Sequence, residues 1–506
     1  MDTIFQNILN LLSYHADSPI IFSSGLFLVL FTAFSLFYYL LRNTFTPRIL
    51  FVALFSYYFY YKSTGFYFLL LAFVTLSDYL IAKAIHRSRE RNADDLDEGR
   101  TFRKAMLVLS LVLDLGLLGF YKYANFFGAN LALIVGTNFQ PYDIFLPVGI
   151  SFFIFQSLSY TIDVYRGDLR TMDSLLDYVF YVSFFPQLVA GPIVRARVFA
   201  PQIRKPLLIT NRMIAMGVYL IIIGLFKKAV ISDYISLNFV DRVFDNPLRY
   251  TGVENLLALL GYAMQIYCDF SGYSDMAIGI ALLLGFHFPT NFHAPFKAVS
   301  VADFWNRWHI SLSTWIRDYV YIPLGGSRRG TARTCINLFF TMCLCGLWHG
   351  ANWNFVAWGA LFGLALAVHR IFSRVILKHD RHYQSRGWKR FFGVLSTFLF
   401  VLLSFIVFRN AQLQGSVDML NQMFTKFHPE VFLQCITGYA WVFALIAFGF
   451  ISHWMPDKWE SRLVAYLSKC NLMVYVVMLT AVNLLPVLMQ IVVVENDLFL
   501  LLDGIL

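Results

Sequence analysis

Two histidines in this chain sit where an imidazole has no routine structural duty. His349 follows the apolar run 338–348, whose only ionisable side chains are cysteines, and Gly346 and Gly350 stand close on either side. His309 lies in Phe304-Trp305-Asn306-Arg307-Trp308-His309-Ile310-Ser311-Leu312-Ser313, where aromatic and polar residues alternate. Burial disfavours the charged imidazolium, so a histidine in such surroundings stays neutral and can take a proton from a hydroxyl. A second imidazole could bind or orient a reactant. The plainer readings are a satisfied core histidine at 349 and, around 309, a Trp/Arg-rich helix lying at an interface. Ionisable groups in apolar segments are expensive, which keeps the functional reading open for both. Other histidines, such as His86, His369, His379 and His382, adjoin basic loops and read as solvated.

A third cluster is Asp269-Phe270-Ser271-Gly272-Tyr273-Ser274-Asp275, followed by an apolar run to Phe286. If helical, Ser271 and Asp275 share a face with Ile278. Those carboxylates either face a cavity or form a polar knot that locks helices together. Metal chemistry has little support, with no HExxH, no histidine pair at helical spacing and no carboxylate beside either histidine. The six cysteines form no CxxC pair and mostly lie in apolar runs, so they read as small hydrophobes. The stretch 323–330 is glycine-rich and basic but lacks the Gly-Lys-Ser/Thr ending of a phosphate-binding loop. It reads as a basic turn or as a contact with a phosphorylated donor.

The elements that must hold these groups are membrane helices. Of the 506 residues, 58% are hydrophobic and 14% charged, and mean hydropathy is +0.62. So few charges cannot cover a water-soluble surface of this size. The net charge of +10 collects in short loops between apolar runs, as in a multi-pass protein, so nucleic acid is not an expected partner. Runs of spanning length are Ile20–Leu41, Ala105–Phe127, Ile144–Tyr165, Met213–Tyr234, Leu256–Phe286, Phe391–Phe408, Val431–His453 and Leu472–Val494. Two more stretches read as helical hairpins, Ile49–Ala82 turning near Lys62–Gly65 and Cys335–Val368 turning near Gly350–Trp353.

The first nineteen residues contain no Lys or Arg, so Ile20–Leu41 is expected to be a retained span rather than a signal peptide. Basic loops at 83–104, 195–212, 328–333 and 370–390 are assigned to the cytoplasm. That arrangement gives about twelve spans with both termini outside. The acidic tail (Glu495, Asp497, Asp503) agrees with an external end. The segment Tyr178–Val194, with Pro186, Gly191 and Pro192, reads as re-entrant and as a wall of a central cavity. No internal repeat or linker divides the chain, which argues for a single membrane domain over 1–506, with a motif core at 265–358 and a C-terminal extension at 409–506.

The motifs Arg307-Trp308-His309-Ile310-Ser311 and Leu347-Trp348-His349-Gly350 resemble signatures of the membrane-bound O-acyltransferase (MBOAT) family. The run from Gln265 through Asp269, Ser271 and Asp275 to Gly279 is similar to the bacterial branch that includes the alginate O-acetylation membrane protein. So are Trp315-Ile316-Arg317-Asp318-Tyr319 and Tyr321-Ile322-Pro323-Leu324-Gly325-Gly326, and the likeness extends loosely to Phe408-Arg409-Asn410 and beyond. Cys268 departs from the pattern, since that branch usually has an aromatic residue there.

The resemblance implies an all-α polytopic fold in which helices ring a thin core crossed by a tunnel. It implies His349 as the catalytic histidine and His309 as the second active-site histidine. Asp269, Ser271, Asp275, Asn306, Arg307, Trp308 and Asn352 would line the substrate path or support it. The donor would be acetyl-CoA or another acyl thioester, with no bound cofactor and no metal. The acceptor would be an extracellular polysaccharide, reached directly or through periplasmic acetyl-transferring proteins, from the bacterial inner membrane. A D-alanyl-transferring relative of cell-wall polymers is the nearest competing subfamily; it is usually shorter and lacks helices after Phe408. From topology alone, a transporter of polysaccharide or lipid-linked sugar remains a rival, although no inverted repeat or paired broken helices support it.

Overall fold

The computed structural model describes residues 10–16, 19–378, 385–410, 412–471 and 473–482, together with Gln6 and Leu484. Among these residues the chain is all helical, with 77% of it in helix and no strand. Among the described residues, six helical runs are long and apolar enough to cross a membrane: Thr46–Arg91, Arg100–Val135, Asn211–Asp245, Gly330–His349, Trp353–Ile371 and Gly387–Arg409. The pair Pro429–Gly438 and Ala440–Trp454 makes a seventh if counted as one span.

This is fewer than the about twelve spans expected from apolar run length, and each shortfall has a local reason. The run at Ile20–Leu41 yields a helix of only 16 residues, Gly25–Leu40. The run at Ile144–Tyr165 becomes helical only at Ile150, after Gly149 takes a φ of +77°, and continues for 17 residues. The run at Leu256–Phe286 lies in a helix of 32 residues, Gly252–Leu283, but Gln265, Asp269, Ser271, Ser274 and Asp275 interrupt its apolar character. Val431–His453 breaks at Tyr439, with a 93° bend. Most of Leu472–Val494, the acidic tail, both chain ends, His379 and His382 lie outside the described residues.

The first expected hairpin is one helical run, Thr46–Arg91, interrupted by a single 3₁₀ turn at Gly65–Tyr67, where Gly65 has a φ of +65°. Its two arms then pack mainly on other helices: Thr46–Thr64 on Leu175–Ser183, and Phe68–Arg91 on Arg100–Leu118 and Ile150–Arg166. The second hairpin closes along its whole length. A Cβ on Gly346 would lie 2.0 Å from the Phe355 carbonyl oxygen, and one on Gly359 would lie 2.2 Å from that of Met342. Only glycine permits backbones so close, and small residues at such positions are how membrane helices gain contact without a hydrophobic drive.

The segment expected to be re-entrant is short helix and irregular chain. Leu175–Ser183 and Phe185–Leu188 are followed by non-helical backbone to Arg195, and nearly every residue from Tyr178 to Val194 is buried. Protein surrounds this backbone, as irregular structure at membrane depth requires.

The long helix Gly252–Leu283 is the frame beside it. Gly272 and Gly279 face Gly224 and Gly217 of the Asn211–Leu225 helix, and a Cβ on any of the four would meet a backbone oxygen of the opposite glycine at 2.9 Å or less. Seven-residue spacing on both helices makes the contact a straight seam.

Candidate active site

His309 caps the N-terminus of a short helix, Ile310–Ile316, in a left-handed conformation with φ +44°. Such a backbone costs a non-glycine residue of order 1–3 kcal/mol and needs surroundings that impose it. Asn291, fully buried, imposes it. The Asn291 carbonyl accepts from Ile310 N at 2.9 Å, and its Oδ1 accepts from Ser311 N at 3.2 Å and from Ser311 Oγ at 2.9 Å. The same Oδ1 lies 3.2 Å from His309 Nδ1.

An amide oxygen can only accept, so Nδ1 carries the proton and donates. The remaining nitrogen, Nε2, is then the basic one, and it is buried with no hydrogen-bond partner among the described residues. Burial pushes His309 well below the usual imidazole range, and the neighbouring His349 imidazole lowers it further. Two further bonds fix the platform: Asn291 Nδ2 donates to Ser274 Oγ of the long helix at 3.0 Å, and Ile193 N of the re-entrant segment donates to Ser311 Oγ at 3.1 Å.

His349 is the last residue of the Gly330–His349 helix. Its ring packs edge-on against Trp358 and Phe408, each with centroids 5.2 Å away, and its Nε2 is also buried without a partner among the described residues. Trp348 joins the two histidines, its indole lying 6.0 Å from the His309 ring and 4.8 Å from that of His349. Phe270 closes the His309 side edge-on at 4.6 Å.

The C-terminus of the His349 helix is held from outside. Lys122 Nζ donates to the Trp348 carbonyl and lies 5.4 Å over its indole, and Tyr123 Oη donates to the Leu347 carbonyl at 2.9 Å. Helix-end carbonyls lack internal partners and carry partial negative charge, so a cation there is favourable. Lys122 and Tyr123 come from a π turn, Gly119–Tyr123, inside the Arg100–Val135 run. Asn352 starts the next helix by accepting from Asn354 N at 3.0 Å, and Asn354 Nδ2 donates to the Asn410 carbonyl at 2.7 Å. A shallow cavity of about 370 Å³, lined by Asn130, Ala351, Asn352 and Trp353, adjoins this turn.

The other residues expected at the site fall around it. Asp275 pairs with Lys227 at 2.7 Å, and Asp269 with Lys228 at 2.5 Å, Lys228 also reaching Asp233 at 2.8 Å. Both carboxylates thus bridge helices, and the Asp269 side chain also keeps 48% of its surface exposed. Ser271 is buried with its hydroxyl unpartnered among the described residues. Arg307 is tied to Asp303 at 2.9 Å, Trp308 packs on Phe292 and Phe304, and Asn306 is exposed. These three shape the loop that presents His309. Among the described residues no three His, Cys, Asp or Glu side chains converge as a metal site would require.

Sequence reasoning missed Asn291 and Lys122. Asn291 lies 18 residues before His309 in a loop and gives no periodic signal. Lys122 did give one, being the lone cation in the apolar run Ala105–Phe127.

The profile of the membrane-bound O-acyltransferase family matches residues 168–408, which contain both histidines. The probable alginate O-acetylase AlgI of Pseudomonas putida is 38% identical over 410 residues, covering 80% of this chain and 80% of the relative. The chain belongs to the membrane-bound O-acyltransferase family. Like other MBOAT members it is a multi-pass membrane acyltransferase. A peptidoglycan O-acetyltransferase of Helicobacter pylori is 35% identical over 409 residues, covering 76% of this chain and 74% of the relative. A teichoic acid D-alanyltransferase of Bacillus subtilis is 28% identical over 280 residues, covering 53% of this chain and 70% of that protein.

Proposed function

We propose that this MBOAT protein moves an acetyl group from a cytoplasmic thioester, acetyl-CoA or an equivalent, to hydroxyls of an extracellular polysaccharide resembling alginate. The chain works as one membrane domain of the bacterial inner membrane, and the acetyl group reaches the polymer directly or through a periplasmic partner protein. The observation that carries the reading is the meeting of two histidines on Trp348, each with a buried, unpartnered Nε2.

In this reading His349 is the general base. The acceptor oxygen attacks the thioester carbonyl, its proton passes to Nε2 of His349, the C–S bond breaks, and the proton leaves with the thiolate sulfur. His309 holds the acyl group or the attacking hydroxyl. Neither step calls on a metal or bound cofactor. The basic ends of the Gly330–His349 and Trp353–Ile371 helices face the cytoplasm by the positive-inside rule. The 20-residue length of the first helix, about 30 Å, supports a position for His349 near the outer face on that orientation. The cavity beside Asn352 and Trp353 supports entry of the acceptor there.

The longer coverage of the acetyl-transferring relatives favours acetyl over D-alanyl transfer. The test uses proteoliposomes given labelled acetyl-CoA and polysaccharide from the native host, with periplasmic proteins added. Label reaching polymer or a co-purified protein with wild type but not with His349→Ala is the expected result. Equal label with folded His349→Ala removes that residue from the chemistry. Absence of label with both would favour transport of the polymer.

A further inference from the structure

We propose that a cavity at the basic end of the Gly330–His349, Trp353–Ile371 and Gly387–Arg409 helices binds an anionic phospholipid, its phosphate on Arg370 and Lys389 and an acyl chain along Leu338, Leu366 and Phe392. The cavity has a volume of about 890 Å³, and neither His309 nor His349 lines it. It lies where the first helix begins, the second ends and the third begins.

Charge is the first argument. Residues 319–390 contain ten Lys and Arg against one acid, Asp380. Among the described residues neither Arg370 nor Lys389 forms an ion pair, although the basic loop at 195–212 has found Asp318 and Asp177. An uncompensated cluster between membrane helices attracts anionic headgroups.

Unmet hydrogen bonding is the second. Arg370 Nε and Ser385 Oγ, both from cavity-lining residues, are buried with no partner among the described residues. The 23-residue Gly387–Arg409 helix also starts without a side-chain cap, and its first-turn residues Trp388 and Lys389 line the same space. An uncapped helix start aims free N–H groups and positive potential at an anion.

The third argument separates a lipid from a soluble phosphate compound. The cavity's apolar lining continues onto Phe372, Leu377, Trp388 and Phe392, which are 44% to 77% exposed on the outside of the bundle. A ligand with one phosphate and a long apolar chain satisfies both surfaces. The phosphates of a thioester donor share the headgroup chemistry, so the test must separate the two.

Delipidated protein would be titrated with phosphatidylglycerol and phosphatidylcholine and followed by native mass spectrometry. Retention of phosphatidylglycerol at least fivefold over phosphatidylcholine is expected, with the preference lost in Arg370→Gln/Lys389→Gln. Equal retention of the two lipids, or an unchanged preference in that variant, overturns the proposal. Coenzyme A displacing phosphatidylglycerol one for one also overturns it and assigns the cavity to the donor. Because the double variant could unfold, photoactivatable phosphatidylglycerol would also be crosslinked to unmodified protein. Adducts on peptides within 366–377 or 385–397 support the site, and adducts confined to other regions refute it.

Discussion

Asn291 holds His309 by one ring nitrogen and leaves the other unbonded. The single Oδ1 of Asn291 receives His309 Nδ1, Ser311 N and Ser311 Oγ, all within 3.2 Å, so the tautomer of the imidazole and the bend of the chain under it share one acceptor.

Replacing that acceptor should therefore damage activity more than its distance from the substrate suggests. Asn291→Leu leaves three buried donors unmet, a loss of about 1–3 kcal/mol per unsatisfied group. It also frees the imidazole to adopt the other tautomer. Asn291→Asp keeps an acceptor and should retain several-fold more turnover than Asn291→Leu. Acetyl transfer by the two variants at matched folded fractions decides this; equal loss in both would mean that only packing matters at this position.

Lys122→Met tests whether the end of the His349 helix is held electrostatically. Methionine keeps the apolar stem but removes the bond to the Trp348 carbonyl and the cation over its indole. A hydrogen bond from a charged donor is worth about 1.5–3 kcal/mol. The variant should melt at lower temperature and lose kcat, with KM for the donor little changed. A normal kcat at permissive temperature would show that the helix end stays in place without the lysine.

Gly346→Ala should be among the most damaging single-methyl changes in the chain. The new Cβ would stand 2.0 Å from the Phe355 carbonyl oxygen, on the turn of helix just before His349. Overpacking costs about 1–3 kcal/mol when side chains can yield, and backbone yields less. Loss of folded protein in a size-exclusion profile is expected, whereas Gly330→Ala, with no atom within 4 Å, isolates the effect of its positive φ from any clash.

Acid should destabilise the protein through His309. Its folded pKa lies well below the usual value, while the unfolded imidazole titrates near about 6.5. The unfolded state therefore binds a proton that the folded state refuses, and stability falls as pH drops below about 6.5, by up to about 1.4 kcal/mol per pH unit. Melting temperature against pH should be flatter for His309→Gln than for wild type between pH 6.5 and 5. Parallel curves would mean that His309 is solvated or paired in the folded protein.

The sequence made the two histidines legible because each interrupts a pattern: His349 ends an apolar run and His309 breaks an aromatic one. The hairpin at 335–368 was legible from its apolar length and the turn near Gly350–Trp353, whereas the close helix contact at Gly346 and Gly359 emerged from the structure. Other features were not, since they depend on contacts between distant segments. Asn291 matters only because the loop before His309 folds back on it, and Asp269 and Asp275 find Lys227 and Lys228 from a different helix. The span count was met only in part for a related reason. Hydropathy registers apolar runs, but Gly149 and Tyr439 break them, and the polar residues from Gln265 to Asp275 lower the apolar character of the long helix.

The Gly330–His349 helix has a further consequence for the enzyme's setting. With a basic cluster at one end and the histidine at the other, its roughly 30 Å length is close to the hydrocarbon thickness of a typical bilayer. With His349 as the proposed base, hydrophobic mismatch would become a variable of catalysis. In short-chain lipids the histidine end would emerge among headgroups and water, and in long-chain lipids it would be drawn beneath them or the helix would tilt. Under the proposed function, the fatty-acid composition of the host membrane would then set how far an acceptor must reach to be acylated.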